Sequence, residues 1–219
     1  MMGLFITLEG TEGSGKSTQI QLLAERLRTL GRSVRVLREP GGTPVGEEIR
    51  HLLKHSDSNH AMAAETELLL MNASRAQLVR EVIRPAPAEG EMVLCDRFYD
   101  STTAYQGYGR ALDLAQVKRI IDFAIDGTRP DLTLLLEVSP ETSEARRSSR
   151  HAAGETPSIQ RDRIEEADRA FFERVHDGFR RIAREEPNRV RVIEAAAAVE
   201  VVSAAIWTEV IKLLKAQSG

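Results

Sequence analysis

The sequence holds a single cysteine, Cys95, in 219 residues. An internal disulfide is therefore excluded, and the chain suits a reducing compartment. Cys95 lies in the apolar run Met92-Val93-Leu94-Cys95, which favours inert burial over reactivity. No apolar run is long enough to span a bilayer. The chain enters a strand-like pattern at once, without a charged leader, so the expectation is a cytoplasmic protein. A net charge of −3 gives no electrostatic case for nucleic acid or membrane as a partner. Lysine is scarce as well: only five of the 30 basic residues are lysine, so one in a special position is informative. The guanine-reading pattern N-K-x-D is missing, which argues against a GTPase switch.

What is present is alternation. Apolar runs at 3–9, 33–38, 91–95, 131–138 and 189–194 read as buried strands. Amphipathic stretches at 16–30, 44–55, 64–86, 114–126, 140–149, 164–184 and 199–216 read as helices between them. The expectation is one α/β domain over 1–219: a three-layer fold with a five-stranded parallel sheet and helices on both faces. The stripe Val199, Val202, Ile206, Val210, Leu213 and Leu214 on the last helix is read as core rather than as a partner surface.

The first strand runs into Gly10-Thr11-Glu12-Gly13-Ser14-Gly15-Lys16-Ser17. This is G-x-x-x-x-G-K-S between a strand and a helix, the context of a phosphate-binding loop and of the P-loop NTPase fold. Glycines let successive N–H groups face phosphate oxygens, and the following helix adds its positive end. Residues 10–18, Thr18 included, are expected to hold ATP, with Lys16 on the outer phosphates and Ser17 on Mg²⁺. Glu12 would be repelled by a triphosphate and should point away, either to solvent or to a second ligand offering a hydroxyl.

Other candidates lie where strands end, the place of the ligand crevice in an open α/β sheet. Asp96 suits Mg²⁺, and Arg97 suits bidentate phosphate binding; a mutual salt bridge is the plainer alternative. Arg38 opens Arg38-Glu39-Pro40-Gly41-Gly42-Thr43, a tight loop expected to leave backbone N–H groups free, and suits an anionic acceptor. Arg75 follows an apolar helical turn and needs either a ligand atom or a buried acid. Ser101-Thr102-Thr103-Ala104-Tyr105-Gln106-Gly107 is rich in uncharged hydrogen-bonding groups, suited to a base or sugar, or else to a helix start. The polar segment 148–163, flanked and entered by Arg146, Arg147, Arg150, Arg161 and Arg163, reads as a lid that closes arginines over phosphates.

Together, GTEGSGKS, REPGGT, Arg75, DRF at 96–98, STTAYQG, RPDLTLLLEV at 129–138 and DRIE at 162–165 resemble the thymidylate kinase family over nearly the whole chain. The resemblance implies Mg²⁺-dependent phosphoryl transfer from ATP to dTMP, giving dTDP in dTTP biosynthesis, by a homodimer. It also implies that Arg97 bridges donor and acceptor phosphates, that Arg38 lies near the acceptor phosphate, and that Arg75 contacts thymine. Ser101, Thr102, Tyr105 and Gln106 would line the acceptor pocket, with Tyr105 crowding the place of a 2′-hydroxyl and Glu12 meeting the sugar. Met71 stands where the family often has a stacking phenylalanine. The phosphate loop carries no arginine, so the chain resembles the type with a catalytic arginine in the lid, here Arg150, with Arg146, Arg147 and Arg163 as alternatives. A kinase for another small nucleotide, or a non-catalytic nucleotide-binding regulator, are the competing expectations.

Overall fold

A computed structural model of the chain describes residues 3–56, 61–152, 164 and 167–216, without the side chains at 147 and 150–152. Five parallel strands, β1 (Phe5–Glu9), β2 (Val34–Arg38), β3 (Met92–Asp96), β4 (Leu132–Glu137) and β5 (Val190–Glu194), form one sheet in the order β2-β3-β1-β4-β5. β1 is central and buried along its whole length. That position requires apolar or paired side chains on both faces, which accounts for Phe-Ile-Thr-Leu as a near-continuous apolar run. Thr7 meets Thr133 of β4 through a 2.8 Å hydroxyl contact. The register sets Leu8 beside Asp96 and Arg38 beside Asp96, so β1, β2 and β3 end at one level.

On one face pack α1 (Lys16–Thr29) and α9 (Val199–Ala216), burying Ile20, Leu23 and Leu27 with Val202, Ile206 and Val210 against Ile6, Leu94 and Leu134. The terminal stripe is core, as its spacing predicts, although Val199 stays exposed. On the other face α3 (Ala64–Leu78) and α6 (Leu114–Ile125) cover Phe5, Val93 and Cys95 with Leu78, Val117 and Ile121. α8 (Arg169–Glu185) adds Phe171, Val175 and Phe179 against Tyr105 and Leu135. α2 (Pro44–Lys54) lies outside α3 and starts with Thr43, whose side chain accepts the Gly46 N–H at 3.0 Å. No helix among the described residues is long and apolar enough to cross a membrane.

Several boundaries differ from the sequence pattern. The expected helix 64–86 ends at Leu78, passes through a π-helical turn, Val79–Ile83, and restarts as the short α4 (Pro85–Ala88). Pro85 and Pro87 lack the N–H groups that a continuous helix needs, and proline is tolerated in a first turn. The expected helix 164–184 starts at Arg169 instead, because the Asp168 carboxylate caps it by accepting the Phe171 N–H at 2.7 Å. After β3, α5 (Tyr99–Thr102) runs into a second π-helical stretch, Thr103–Gly109. α7 (Pro140–Ala152) continues past the expected end, so the first five residues of the segment 148–163 are helical; 153–163 lie outside the described residues.

Candidate active site

The loop between β1 and α1 is built as the motif requires. Gly13 has φ 78°, a left-handed conformation that favours glycine, and a Cβ there would stand 2.9 Å from the Ser143 carbonyl oxygen. Ser143 of α7 in turn donates to the Glu12 carbonyl at 2.6 Å, so α7 braces the loop from behind. No side chain caps the start of α1, which leaves its N-terminal N–H groups for an anion.

Lys16 is buried, and its Nζ donates to the carbonyls of Gly10 (3.1 Å) and Thr11 (2.9 Å). Burial, followed by the Arg97 charge, pushes its pKa down to about 7 against the pull of Asp96, Glu9 and Glu12. A phosphate in the loop would give Nζ a charged acceptor and reverse that depression. Ser17 Oγ donates to Asp96 Oδ2 at 2.8 Å, so the end of β3 meets the start of α1 through a pair of side-chain oxygens.

Arg97 makes no salt bridge with its neighbour Asp96 among the described residues. Its Nη1 donates to the Gly10 carbonyl and to Ser101 Oγ, both at 3.0 Å, and its guanidinium lies 5.1 Å from the Tyr105 ring centre. Burial would lower its pKa, yet Tyr105, Asp96 and Glu9 hold it raised, so it stays charged. Its φ of 71° is unusual for a residue with a side chain and marks a position held by its surroundings. The holder is Glu9, which the sequence reading missed. Glu9 is fully buried; its Oε1 accepts the Phe98 N–H at 2.7 Å and its Oε2 accepts the Ser101 hydroxyl, gripping the turn that follows Arg97. Burial, reinforced by Asp100, pushes its pKa up to about 8.

Arg75 finds a buried acid. Its Nε and Nη2 donate to Glu39 Oε2 at 2.9 and 2.7 Å, and both residues are almost wholly buried. Burial raises the Glu39 pKa while Arg75 opposes it. Arg75 also donates to Asn72 Oδ1 and Thr102 Oγ1, both at 2.9 Å. Arg38 reaches Glu47 Oε2 at 2.9 Å. The expectation of free N–H groups in the loop at 38–43 is corrected: Gly41 donates to Ser74 Oγ at 3.0 Å and Gly42 to Glu47 Oε1 at 2.7 Å. A loop so tightly folded satisfies its own donors through the helices it touches.

These residues face one cavity of about 240 Å³. Glu12, Lys16, Ser17, Asp96 and Arg97 line it together with Arg38, Met71, Arg75, Ser101, Thr102, Tyr105 and Gln106. Glu12 lines the same cavity as Arg38 and Arg75. Glu39, Ile164 and Phe172 also line it and were not picked from sequence. Arg146 is engaged elsewhere, donating to the carbonyls of Gly13 (3.3 Å) and Ala195 (3.0 Å). The side chains of Arg147 and Arg150, and residues Arg161, Asp162, Arg163 and Glu165, lie outside the described residues.

A parallel sheet in this order, with G-x-x-x-x-G-K-S between its central strand and first helix, defines the P-loop phosphotransferase class. The profile of the family described as thymidylate kinase matches residues 8–206. The chain is 45% identical to "Thymidylate kinase" of Syntrophotalea carbinolica over 218 residues, covering 100% of both chains. It is 47% identical to "Thymidylate kinase" of Pseudomonas syringae pv. syringae over 219 residues, again covering 100% of both. The crystal structure of thymidylate kinase from Ehrlichia chaffeensis superposes with a TM-score of 0.73 at 34% identity, over 98% of this chain and 99% of that one. The chain belongs to the thymidylate kinase family.

Proposed function

We propose that the chain transfers the terminal phosphoryl group of ATP to dTMP, giving dTDP for dTTP synthesis. The observation that carries this reading is one continuous cavity that joins a phosphate loop at one end to Arg75, Thr102 and Gln106 at the other. Residues 10–18 hold the ATP phosphates. Arg38 faces the acceptor phosphate, and Glu12 meets the acceptor sugar. Arg75, Thr102 and Gln106 contact the base, Met71 packs against it, and Tyr105 closes the space beside the sugar.

The acceptor is already a phosphate anion, so no protein base is required. The protein's part is to align the two phosphates and offset the charge that spreads over the transferring group. Lys16 does so from the loop and Arg97 from the end of β3, where it is held in place by Glu9 and Ser101. Ser17 and Asp96 supply hard oxygen donors that fit Mg²⁺. Bound there, Mg²⁺ offsets phosphate charge. Arg150 completes the charge cluster from the lid at 148–163, whose closure excludes water. The chain acts as a cytoplasmic homodimer, which sedimentation of the purified protein tests.

A coupled assay with ATP over a panel of nucleoside monophosphates tests the activity: dTMP is the preferred acceptor, and another preference overturns the reading. Lys16→Ala and Arg97→Ala are each expected to lower kcat by roughly 10²- to 10³-fold or more. Near-normal turnover in either would remove the assigned role. Arg150→Ala should lower kcat with little change in dTMP affinity.

A further inference from the structure

Gln106 is almost wholly buried in the π-helical stretch Thr103–Gly109, yet it borders the cavity. Its Nε2 donates to Glu67 Oε1 at 2.8 Å. Glu67, equally buried in the first turn of α3, also receives Arg110 Nε at 3.3 Å on Oε1 and Arg110 Nη2 at 3.1 Å on Oε2. A carboxylate paired with a guanidinium offers acceptors only. The amide of Gln106 can therefore face it only with its NH₂ end, which fixes an orientation that an amide otherwise leaves open. The carbonyl oxygen, Oε1, accepts no hydrogen bond from the described residues and is left as an acceptor for the cavity.

The other wall is fixed in the opposite sense. Arg75 commits Nε and both Nη2 protons to Glu39 and Thr102, and one Nη1 proton to Asn72. One Nη1 proton is left over, on a side chain that lines the cavity. Arg75 thus offers the cavity a fixed donor, and Gln106 a fixed acceptor. A pyrimidine with a 4-oxo group and an N3–H presents the matching acceptor and donor. A 4-amino pyrimidine presents the reverse and would leave buried groups unpaired.

We infer that Glu67, held by Arg110, is a specificity-determining positioning residue: it locks the Gln106 amide so that Oε1 selects 4-oxo over 4-amino pyrimidine acceptors. This rests on the dTMP reading above. Glu67 touches no substrate and acts through Gln106.

The test is Glu67→Gln in the full-length protein. The introduced amide gives its oxygen to Arg110 and turns its NH₂ toward Gln106, whose own amide then reverses. Calorimetric Kd values without ATP and KM values with it are read for dTMP, dUMP and dCMP. Affinity for dTMP and dUMP is expected to fall together by about tenfold or more, while that for dCMP holds or improves. Turnover at saturating dTMP should stay within about twofold, because the reacting phosphates are untouched. Glu67→Asp, which keeps an acceptor, should retain the wild-type order. Gln106→Leu should shrink the preference for dTMP over dCMP by about tenfold or more, leaving the part due to Arg75, and adding Glu67→Gln to it should cost nothing more. Equal losses for all three nucleotides, no loss, or a further loss in the double variant overturns the inference. If Glu67→Gln does not fold, a Gln106→Leu protein whose preference for dTMP over dCMP is undiminished overturns it alone. A wild-type chain that does not phosphorylate dTMP sinks the underlying reading instead, so the two failures are distinct.

Discussion

At the scale of single residues, the cavity is a set of charges held by other charges. Arg75 and Glu39 are the clearest pair, since neither is solvated and each is the other's counterion. Removing one partner leaves the other buried and uncompensated, which is the costly way to break such a pair. Glu39→Ala is expected to destabilise the protein by about 3–5 kcal/mol in urea unfolding. Glu39→Gln, which keeps one acceptor for Arg75, should cost less, and equal losses would show that the retained acceptor contributes nothing beyond the charge. Arg97 follows the same logic with a backbone element added. Glu9→Ala removes the acceptor of the Phe98 N–H and the Ser101 hydroxyl, freeing the turn that holds φ at 71°. Its kcat should fall by about tenfold or more while ATP affinity changes little, as expected when only placement of the arginine is lost. An unchanged kcat in a folded Glu9→Ala protein would refute the positioning role.

At the scale of elements, the cavity wall formed by Tyr105 and Gln106 depends on how α8 packs on the π-helical stretch Thr103–Gly109. Two glycines let them approach. A Cβ at Gly178 of α8 would stand 2.6 Å from the Tyr108 ring and 2.9 Å from its Cβ, and one at Gly109 would strike Phe171 and Val175 of α8. Gly178→Ala would normally raise helix propensity by roughly 1 kcal/mol. Overpacking here should outweigh that gain and give a net loss of about 1–3 kcal/mol by urea midpoint. Because Tyr105 and Gln106 ride on the same stretch, KM for dTMP should rise with it. A Gly178→Ala protein more stable than wild type would refute the close packing. Two of the boundaries that the pattern misplaced have local causes: prolines at 85 and 87, and the cap at Asp168, override an apolar periodicity that carries on through them.

At the scale of the whole molecule, the buried carboxyl beneath the site links folding to pH. Glu9 is raised from an ordinary 4.5 to about 8, first by burial and then by Asp100. Between those values the folded protein keeps a proton that the unfolded chain has released. Folding takes up a proton there, so this group's contribution falls as pH rises from about 5 to about 8 and is level above. Lys16, lowered to about 7, acts in the opposite sense above that pH, so the Glu9 effect is best read by difference. The melting temperature of wild type minus that of Glu9→Gln should decrease across pH 5–8 by several degrees, each pK unit being about 1.4 kcal/mol. Parallel curves would show that Glu9 does not titrate in this range. Cys95, fully buried with its thiol pKa raised by burial, should react with a thiol reagent only on global unfolding.

The sequence by itself determined the class of fold and the strand–loop–helix unit that opens the chain. Strand, loop and helix are contiguous there, and Gly13, Lys16 and Ser17 act through local backbone geometry that a spacing pattern records. The resemblance extended this to Arg38, Arg75, Arg97 and Gln106, which the fold brings to one cavity. Only the tertiary structure decided what holds them. Glu9 meets Ser101 across 92 positions, Glu39 meets Arg75 across 36, and Glu67 meets Gln106 across 39. A lone glutamate in an apolar or helical run has no pattern to mark it. Its partner is chosen by the sheet order and by the packing of α3 and α5 beneath β1 and β3, and burial then makes that choice decisive by removing the water that would otherwise satisfy both charges.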